Sequence, residues 1–511
     1  MKKFTLIVAG IAFLLAGCSK KEEPFMILPA ENVLKEKSNP AAVPDGEAYS
    51  KSKVDGFVKQ TLEERNDFHW EWVELRMLWS ALQSGDHSLA IGYKPAETGD
   101  ISNTIHELNI RTGEWKSVHD ALIDFIVKEL SAATGTPIKW EDILVEDDPI
   151  LPILTIKLTN KTVLTRLYNL KNVRYLEPLD YYPEETERSG SGCDGSTTTV
   201  NSSDWTTITP NCKQPWNYAS TNIPAAWNIS TGTGVTIGVI DAGISSSQSL
   251  LGLNFNNGLS TGRTITTDYT IGTSAYTTCA HGTSMSGLAA GARNNLNSSI
   301  GVAYNANLHF IRGCNDVVLE SSAEKTGVKN ALVKMGDLPA VKIVSMSVGS
   351  PFSSSVLEDG VNYAYGRGKM LFAAAGTSFS WTSWWGVVYP AALTKCVAIT
   401  GVKENGNTCA SCHDGSQVDF TIPMERNNNS NRNTVSLAPN GFNPTYAGGS
   451  SCATAMSAGI AGLIWSARPT LTREQVLNAL KTTSQNYPSI NSSRGYGNIN
   501  AGAAVSAAMN Y

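Results

Sequence analysis

The chain has 511 residues and a formal net charge of −5 at pH 7. This length predicts two or three domains, each large enough to bury its own core. No stretch of the sequence combines clustered Lys and Arg with interleaved aromatic residues, which argues against a nucleic-acid-binding protein.

The N-terminus has the pattern of an export signal. A short basic segment, MKK, precedes the apolar stretch FTLIVAGIAFLL, which is shorter than the roughly 20 residues that a membrane span needs. The stretch ends in LAGC at Cys18, which resembles the lipobox of a bacterial lipoprotein. That resemblance implies removal of residues 1–17, acylation of Cys18 and lipid anchoring in the bacterial cell envelope. Ser19 in place of Asp favours the outer membrane or cell surface; an ordinary signal peptide or a short anchor helix is the alternative.

The next part of the sequence predicts a tether followed by an α+β domain. Residues 18–50 are polar and lack periodicity, as in an extended tether, whereas residues 51–190 contain no cysteine and predict a separate N-terminal region. Apolar residues recur at helical spacing over 54–83 and over 120–133, so we predict one long amphipathic helix in each segment. Strands are predicted at ILVED and ILPILTIKL, then a helix at TVLTRLYNL and a strand at VRYLEPLDYY. The polar stretch 183–199 predicts an exposed linker and the processing region.

The cysteine pattern predicts disulfide bonds within a C-terminal domain that we expect to span residues 191–511. Eight cysteines follow Cys18, and all of them lie beyond residue 190. An even number in an exported domain is typical of a disulfide framework, although sequence alone leaves the pairing open. We expect the pairs Cys193–Cys212 and Cys279–Cys314. A disulfide at Cys452 would brace the turn beside it, whereas a free thiol there would be open to oxidation.

Three segments of the C-terminal domain carry a carboxylate, an imidazole and a hydroxyl in settings that suit catalysis. VTIGVIDAGI predicts a fully buried parallel strand with Asp241 at its carboxyl end, where open α/β sheets place their sites. AHGTSMSGLAAG predicts a helix that begins near His281 and packs closely through small residues. GGSSCATAMSAGIAG predicts a helix N-terminus at Ser451, where free N–H groups stabilise a developing oxyanion. Taken singly, each residue is commonly a turn former, a loop residue or a helix cap.

The order Asp, His, Ser along the chain distinguishes among charge-relay enzymes. It is the order of subtilisin and differs from those of chymotrypsin and the α/β-hydrolases. With the flanking residues quoted above, the chain resembles the subtilisin-like serine peptidases. The resemblance implies an α/β domain with a mostly parallel sheet and helices on both faces. It also implies that Ser451 attacks the scissile carbonyl, that His281 transfers the proton and that Asp241 orients the imidazole.

The resemblance extends to the strands that line the substrate cleft. VSMSVGSP resembles the strand that pairs with the substrate backbone, and it implies substrate contacts at Ser347, Val348 and Gly349. KMLFAAAGT resembles the family's AAAGN segment, which implies that Ala375 and Gly376 also face the substrate.

Two positions of the predicted cleft depart from the family pattern. Thr377 stands where the family has the Asn that donates a hydrogen bond to the oxyanion. Either Thr377 or Ser378 supplies that bond beside the backbone N–H of Ser451, or the enzyme is slow. In GVVYPAA, Val388 takes a position where the family often has Gly. The branched side chain predicts a shortened pocket that favours small or medium P1 residues.

The end of the N-terminal region resembles the end of a subtilisin propeptide. The segment that carries the resemblance is ILTIKLTNKTVLTRLYNLKNVRYLEPLDYY, within about residues 150–182. The resemblance implies a zymogen whose own propeptide acts as chaperone and inhibitor and is cut off autocatalytically, and it implies peptide or protein substrates. Residues 51–149 exceed the family's usual propeptide and have no assigned role. A permanent accessory domain is the alternative.

One motif points to a different class of protein. CASCH at 409–413 matches the C-x-x-C-H pattern of haem attachment, with His413 as axial ligand. No separate domain surrounds it, and zinc would need a further ligand besides the two thiolates and the one imidazole, so we expect a disulfide or two strand cysteines. We expect no required cofactor and no metal site; calcium is common in the family, but the loop 427–433 lacks a suitable carboxylate spacing. A weak or inactive surface binding protein on the peptidase fold is the alternative function.

Overall fold

The computed structural model describes residues 33–65, 67–183, 193, 197–279, 281–377 and 386–511. Their buried apolar residues form one core in the N-terminal region, two in a C-terminal α/β domain and a small cluster where the two meet. The predicted lipidation site Cys18 and the alternative donor Ser378 lie outside the described residues. Within the described ranges, no helix is long and apolar enough to cross a membrane.

The N-terminal region is an α+β unit on an antiparallel sheet. Its strands are β1 Ser88–Tyr93, β2 Leu144–Asp147, β3 Ile153–Lys157 and β4 Val173–Pro178. They pair in the order β2-β3-β1-β4. Its helices are α1 Lys51–Arg65, α2 Leu75–Ser84, α3 Gly113–Thr134, α4 Trp140–Ile143 and α5 Lys161–Tyr168. The last strand–helix–strand succession therefore has the secondary structure that the sequence predicted.

Two features of this region differ from the sequence-based prediction. The segment 54–83, predicted as one helix, forms α1 and α2 with a break between them. Apolar periodicity runs through the break, but Phe68 and Trp70 are buried where the region meets the C-terminal domain, and tertiary packing overrides local propensity. Strand β1 was not predicted, because all six of its residues are buried and it lacks the alternation that identifies a strand.

The C-terminal domain is the predicted α/β fold with a mostly parallel sheet. A two-stranded ribbon, β5 Trp205–Ile208 and β6 Cys212–Pro215, precedes it. The sheet strands are β7 Thr236–Asp241, β8 Ile265–Tyr269, β9 Asn307–Arg312, β10 Val341–Met346, β11 Met370–Ala374, β12 Cys396–Lys403, β13 Phe420–Arg426, β14 Asn429–Ser436 and β15 Thr445–Ala447. Their order is β15-β14-β13-β12-β11-β10-β7-β9-β8. The pairs from β8 to β13 are parallel, and β14 and β15 extend the sheet antiparallel.

Helices cover both faces of this sheet. They are α6 Asn217–Ser220, α7 Ile223–Ala226, α8 His281–Ala290, α9 Ser322–Asp337, α10 Ser355–Gly366, α11 Gly449–Ala467, α12 Arg473–Thr483 and α13 Ala501–Ala508. Along β7, Val239 packs in the core shared with α8 and α11, whereas Ile240 packs in the core shared with α9 and α10. Successive strand residues point to opposite faces, so β7 is buried on both sides.

The N-terminal sheet packs on α9 and α10 through buried charges. Lys329 of α9 is fully buried, and its ammonium group contacts Glu146 at 2.9 Å and also Asp148. The Arg174 guanidinium of β4 donates two hydrogen bonds to the Asp359 carboxylate of α10, one of them 3.0 Å long. Burying charge is favourable only when each charge has partners, so these pairs fix one orientation of the two units.

Two carboxylates of the N-terminal region also lie at the helix N-termini of this interface. Glu177 accepts a hydrogen bond of 3.1 Å from the backbone N–H of Val356, in the first turn of α10. Asp180 accepts one of 3.3 Å from the N–H of Ser322, the first residue of α9. Helix N-termini carry unpaired N–H groups and partial positive charge, so both carboxylates stabilise the contact.

The disulfide bonds differ from the expected pairs. The structure joins Cys193 to Cys279 and Cys409 to Cys412. Cys212 and Cys314, the partners that we expected, are buried free thiols in the cores on opposite faces of the sheet. The expected pairs were neighbours in the order of cysteines along the chain, whereas Cys193 meets Cys279 at a sequence separation of 86.

Cys452 beside Ser451 is also a free thiol rather than half of a disulfide. It is fully buried, and burial raises the pKa of the thiol well above its ordinary value. A buried, protonated thiol reacts slowly with oxidants, so Cys452 acts here as a small core residue.

The buried interface charges predict an asymmetry between two lysines of α9. Lys329→Ala leaves Glu146 and Asp148 without their cation, so we expect a loss of about 3–5 kcal/mol in unfolding free energy. Lys334→Ala removes an exposed pair with Asp268 and is the matched control, with an expected loss below about 1 kcal/mol. Denaturant unfolding on a Ser451→Ala background measures both. Equal losses would contradict a structural role for the buried cluster.

Candidate active site

Asp241 and His281 meet at the carboxyl end of β7. The Asp241 carboxylate is fully buried and accepts hydrogen bonds from the Ala242 N–H at 2.7 Å and from His281 Nδ1 at 2.8 Å. Helix α8 begins at His281 and approaches the strand closely. A Cβ on Gly282 would lie 2.4 Å from the Gly243 carbonyl oxygen, so glycine is needed for this approach. The small-residue start of α8 therefore sets the distance between the carboxylate and the imidazole.

The environment of His281 suits a general base. Burial disfavours the charged imidazolium, but the charge and hydrogen bond of Asp241, with a smaller contribution from Asp316, outweigh it and raise the pKa of His281 above 6.5. Because Nδ1 donates to the carboxylate, the neutral ring carries its free lone pair on Nε2. That nitrogen is the one that takes a proton in a charge-relay system.

Ser451 lies in the first turn of α11 at the same edge of the sheet. Ser347, which directly follows β10, donates a hydrogen bond of 3.1 Å from its hydroxyl to the Ser451 carbonyl oxygen. Strand β10 neighbours β7, and α8 packs against α11. The hydrogen bonds among the described residues do not include one between Ser451 Oγ and His281. Catalytic hydrogen bonds are often long without substrate, so this geometry is compatible with a nucleophile and base.

Thr377 lies against the residues that precede Ser451. Its hydroxyl is 3.2 Å from Ser450 Oγ, and the Gly376 N–H donates to the same oxygen at 3.1 Å. A Cβ on Gly449 would lie 2.7 Å from Thr377 Oγ1. The residue predicted to replace the family's Asn therefore contacts the turn that carries Ser451.

Gly349, Ala375 and Val388 come together as one wall beside this turn. The Val388 N–H donates to the Ala375 carbonyl at 2.9 Å, and a Cβ on Gly349 would lie 2.7 Å from Val388 Cγ2. The branched side chain of Val388 thus packs directly against Gly349.

The backbone of Gly349 is already paired with another part of the chain. Its N–H donates to Val317 at 2.8 Å, and its carbonyl accepts from the Leu319 N–H at 2.9 Å. The sequence had predicted this backbone as a partner for substrate. Substrate pairing at Gly349 therefore requires the segment 317–319 to move, whereas Ser347 and Val348 directly follow the buried strand β10 beside Ser451.

The CASCH motif supports the Thr377 turn rather than a haem. Cys409 and Cys412 are joined to each other, which leaves no thiol for a porphyrin. His413 is buried, its Nδ1 donates to the Gly386 carbonyl at 3.0 Å, and burial lowers the pKa of His413. A Cβ on Gly376 would lie 2.3 Å from His413 Nδ1. The sequence did not predict this role of His413, because its contact with Gly376 joins residues far apart in the chain and has no signature in the neighbouring residues.

Within the described ranges, no group of three or more His, Cys, Asp or Glu residues is placed to hold a metal ion.

A buried carboxylate that orients a histidine beside a helix-borne serine is the arrangement of a charge-relay serine hydrolase. Residues 232–498, more than half of the chain, match the model of the Subtilase family. The chain therefore belongs to the subtilase family.

Curated relatives and a solved structure are similar to part of this chain. The chain is 31% identical over 296 residues to an "Alkaline protease" of Alkalihalobacillus alcalophilus, covering 57% of this chain and 70% of the relative. It is 31% identical over 296 residues to "Subtilisin Savinase" of Lederbergia lenta, covering 57% and 98%. A solved protease structure from Pseudoalteromonas arctica PAMC 21717 is 24% identical with a TM-score of 0.47, covering 57% of this chain and 96% of that one.

The pKa of His281 predicts the acid limb of any hydrolytic activity. Protonated His281 cannot accept the Ser451 proton, so kcat/KM should fall as pH decreases through the pKa of the free enzyme. Since Asp241 holds that pKa above 6.5, half-maximal kcat/KM should lie above pH 6.5. A pH profile with a short peptide substrate measures it, and a limb at or below pH 6.5 would contradict the arrangement.

Proposed function

We propose that this chain is a serine endopeptidase that hydrolyses peptide bonds through an acyl-enzyme on Ser451. The observation that carries the proposal is the buried Asp241 carboxylate hydrogen-bonded to His281 Nδ1, beside the helix that bears Ser451. The proposed substrates are peptides or proteins.

In the proposed mechanism His281 Nε2 takes the Ser451 proton as Oγ attacks the scissile carbonyl. The backbone N–H of Ser451, at the start of α11, and the Thr377 hydroxyl stabilise the oxyanion. His281 then protonates the leaving amine, and water hydrolyses the ester by the same route in reverse. Asp241 stabilises the imidazolium in both steps.

The proposed precursor is a zymogen in which the N-terminal region inhibits the C-terminal domain. The buried pairs of Lys329 and Arg174 and the capping of α9 and α10 support a tight complex of the two units. The export signal and Cys18 motif support a lipid-anchored protein of the bacterial cell envelope.

A covalent probe separates the enzyme from the alternative of an inactive surface binding protein. A fluorophosphonate should label the wild-type protein, and Ser451→Ala should abolish labelling. Ser457→Ala removes a buried hydroxyl from the same helix and is the matched control, which should retain labelling. Wild-type protein freed of its N-terminal region yet unlabelled would support the binding protein.

The position of Thr377 predicts a contribution to turnover. Thr377→Val removes the hydroxyl at nearly constant volume, and we expect kcat to fall by about 10²-fold with little change in KM. Thr482→Val removes an exposed hydroxyl of α12 and should leave both constants unchanged. An unchanged kcat in Thr377→Val would mean that other donors hold the oxyanion.

The contact between Val388 and Gly349 predicts the P1 preference. The wild-type enzyme should cleave after small or medium residues faster than after Phe or Tyr, and Val388→Gly should shift the preference towards the aromatic residues. Values of kcat/KM across a peptide library measure the preference. Faster wild-type cleavage after large aromatic residues would contradict the proposed pocket.

A further inference from the structure

The break between α1 and α2 docks onto the C-terminal domain beside the pocket wall. The break lies outside the segment that resembles a propeptide, and the part of it that docks is residues 67–72, with the sequence DFHWEW. The surface that it covers, which we call the rim surface, consists of Phe352, Ser353, Ser355 and Tyr389. Three of these residues lie in the loop that joins β10 to α10, or in its first turn, and Tyr389 follows Val388.

Polar contacts fix the register of this segment. The Tyr389 hydroxyl donates to the Asp67 carboxylate, which also accepts from the Phe68 N–H. The Ser353 N–H donates to the Phe68 carbonyl at 3.3 Å, and the Ser353 hydroxyl lies 2.9 Å from His69 Nδ1. The other ring nitrogen of His69 is 3.0 Å from Asp67. Backbone and side chains of the segment are therefore both recognised, as in the binding of a peptide.

A second polar contact and an aromatic cluster complete the docking. The Ser355 hydroxyl donates to Glu71 at 3.1 Å. The Phe352 ring contacts the rings of Phe68 and Trp70 edge-on, with centroids 5.8 and 6.3 Å apart. Edge-to-face geometry of this kind is the favoured one for aromatic pairs.

Phe352 is covered mainly by the N-terminal region. Its side chain is 1% exposed and belongs to the hydrophobic core of that region. Among the described residues, Phe352 is the one residue of the C-terminal domain in that core. The ring also lies below the Lys325 ammonium, 5.5 Å away. Departure of the N-terminal region would remove the aromatic rings that cover Phe352 and leave its large apolar side chain available to pack against another aromatic segment.

We propose that the rim surface is a peptide-binding exosite for an aromatic segment preceded by a carboxylate, and that residues 67–72 occupy it as a second inhibitory segment of the precursor. The inference rests on the proposed endopeptidase and zymogen. In the precursor, the segment adds contacts with the C-terminal domain beyond the capping of α9 and α10 by Glu177 and Asp180. In the processed enzyme, the same surface takes the corresponding segment of a protein substrate at a distance from the scissile bond.

The docking itself is tested without catalysis, on the full chain carrying Ser451→Ala. Asp67→Ala and Tyr389→Phe each remove one side of the charge-assisted bond, and we expect hydrogen exchange of the Ser353 amide to accelerate about 10- to 100-fold in each. The double variant should exchange no faster than Asp67→Ala alone, because Tyr389→Phe removes a contact that Asp67→Ala already lacks. Asp120→Ala removes an exposed carboxylate of α3 and should leave exchange unchanged. Additive or absent effects would overturn the inference.

The exosite is tested on the processed wild-type enzyme with the capped peptide DFHWEW. At about millimolar concentration the peptide should slow cleavage of casein severalfold and leave cleavage of a short chromogenic tetrapeptide unchanged. The control peptide AAHAEW, which lacks the carboxylate and the two docked rings, should have no effect. Equal inhibition of both substrates would place the peptide in the catalytic cleft, and no inhibition of casein cleavage would also overturn the exosite.

The two experiments separate this inference from the proposed function. Wild-type protein that cleaves no substrate and takes no fluorophosphonate refutes the endopeptidase, and the exosite for substrates falls with it. The exchange experiment still decides whether residues 67–72 hold the rim surface. An active enzyme with unchanged exchange and no peptide effect refutes the exosite alone.

Discussion

The hydrogen bond between the buried Asp241 carboxylate and His281 is the interaction on which the rest of the site depends. A carboxylate without solvent is stable only with donors around it, and Asp241 obtains them from the Ala242 N–H and the imidazole. The bond also fixes which ring nitrogen faces outward. Its geometry requires α8 to lie against the end of β7, which glycine at positions 243 and 282 permits. Parallel strands then bring the turns after β10 and β11 to the same edge as β7.

The requirement that buried charges have partners also determines the contact between the two units. Lys329 and Arg174 lie in an interface where each would be strongly unfavourable without its carboxylate partners. Such pairs contribute specificity of orientation, since a shifted N-terminal sheet would leave several charges unpaired. The helix N-termini capped by Glu177 and Asp180 add the same constraint on α9 and α10. These contacts hold the N-terminal region on the helices, while Phe68 and Trp70 pack against Phe352 in the loop between β10 and α10.

The sequence predicted the strands and helices that depend on the pattern of neighbouring residues. β-Branched runs identified β7 and β10, and small-residue runs identified the helices that begin at or near His281 and Ser451. The break at residues 67–74 could not be predicted, because its apolar spacing continues the helical pattern and its burial depends on Phe352, far along the chain. The pairing of Cys193 with Cys279, the support of Gly376 by His413 and the backbone partners of Gly349 are likewise long-range contacts. They have no signature in the neighbouring residues.

The central claim, that Asp241 makes His281 an effective base for Ser451, is tested most directly by kcat for Asp241→Asn. The amide keeps the size of the carboxylate but removes its charge and favours the wrong imidazole tautomer. We predict a fall in kcat of about 10⁴-fold, with KM and thermal stability close to those of the wild type. A fall of less than about tenfold would contradict the account, since His281 would then act without the carboxylate.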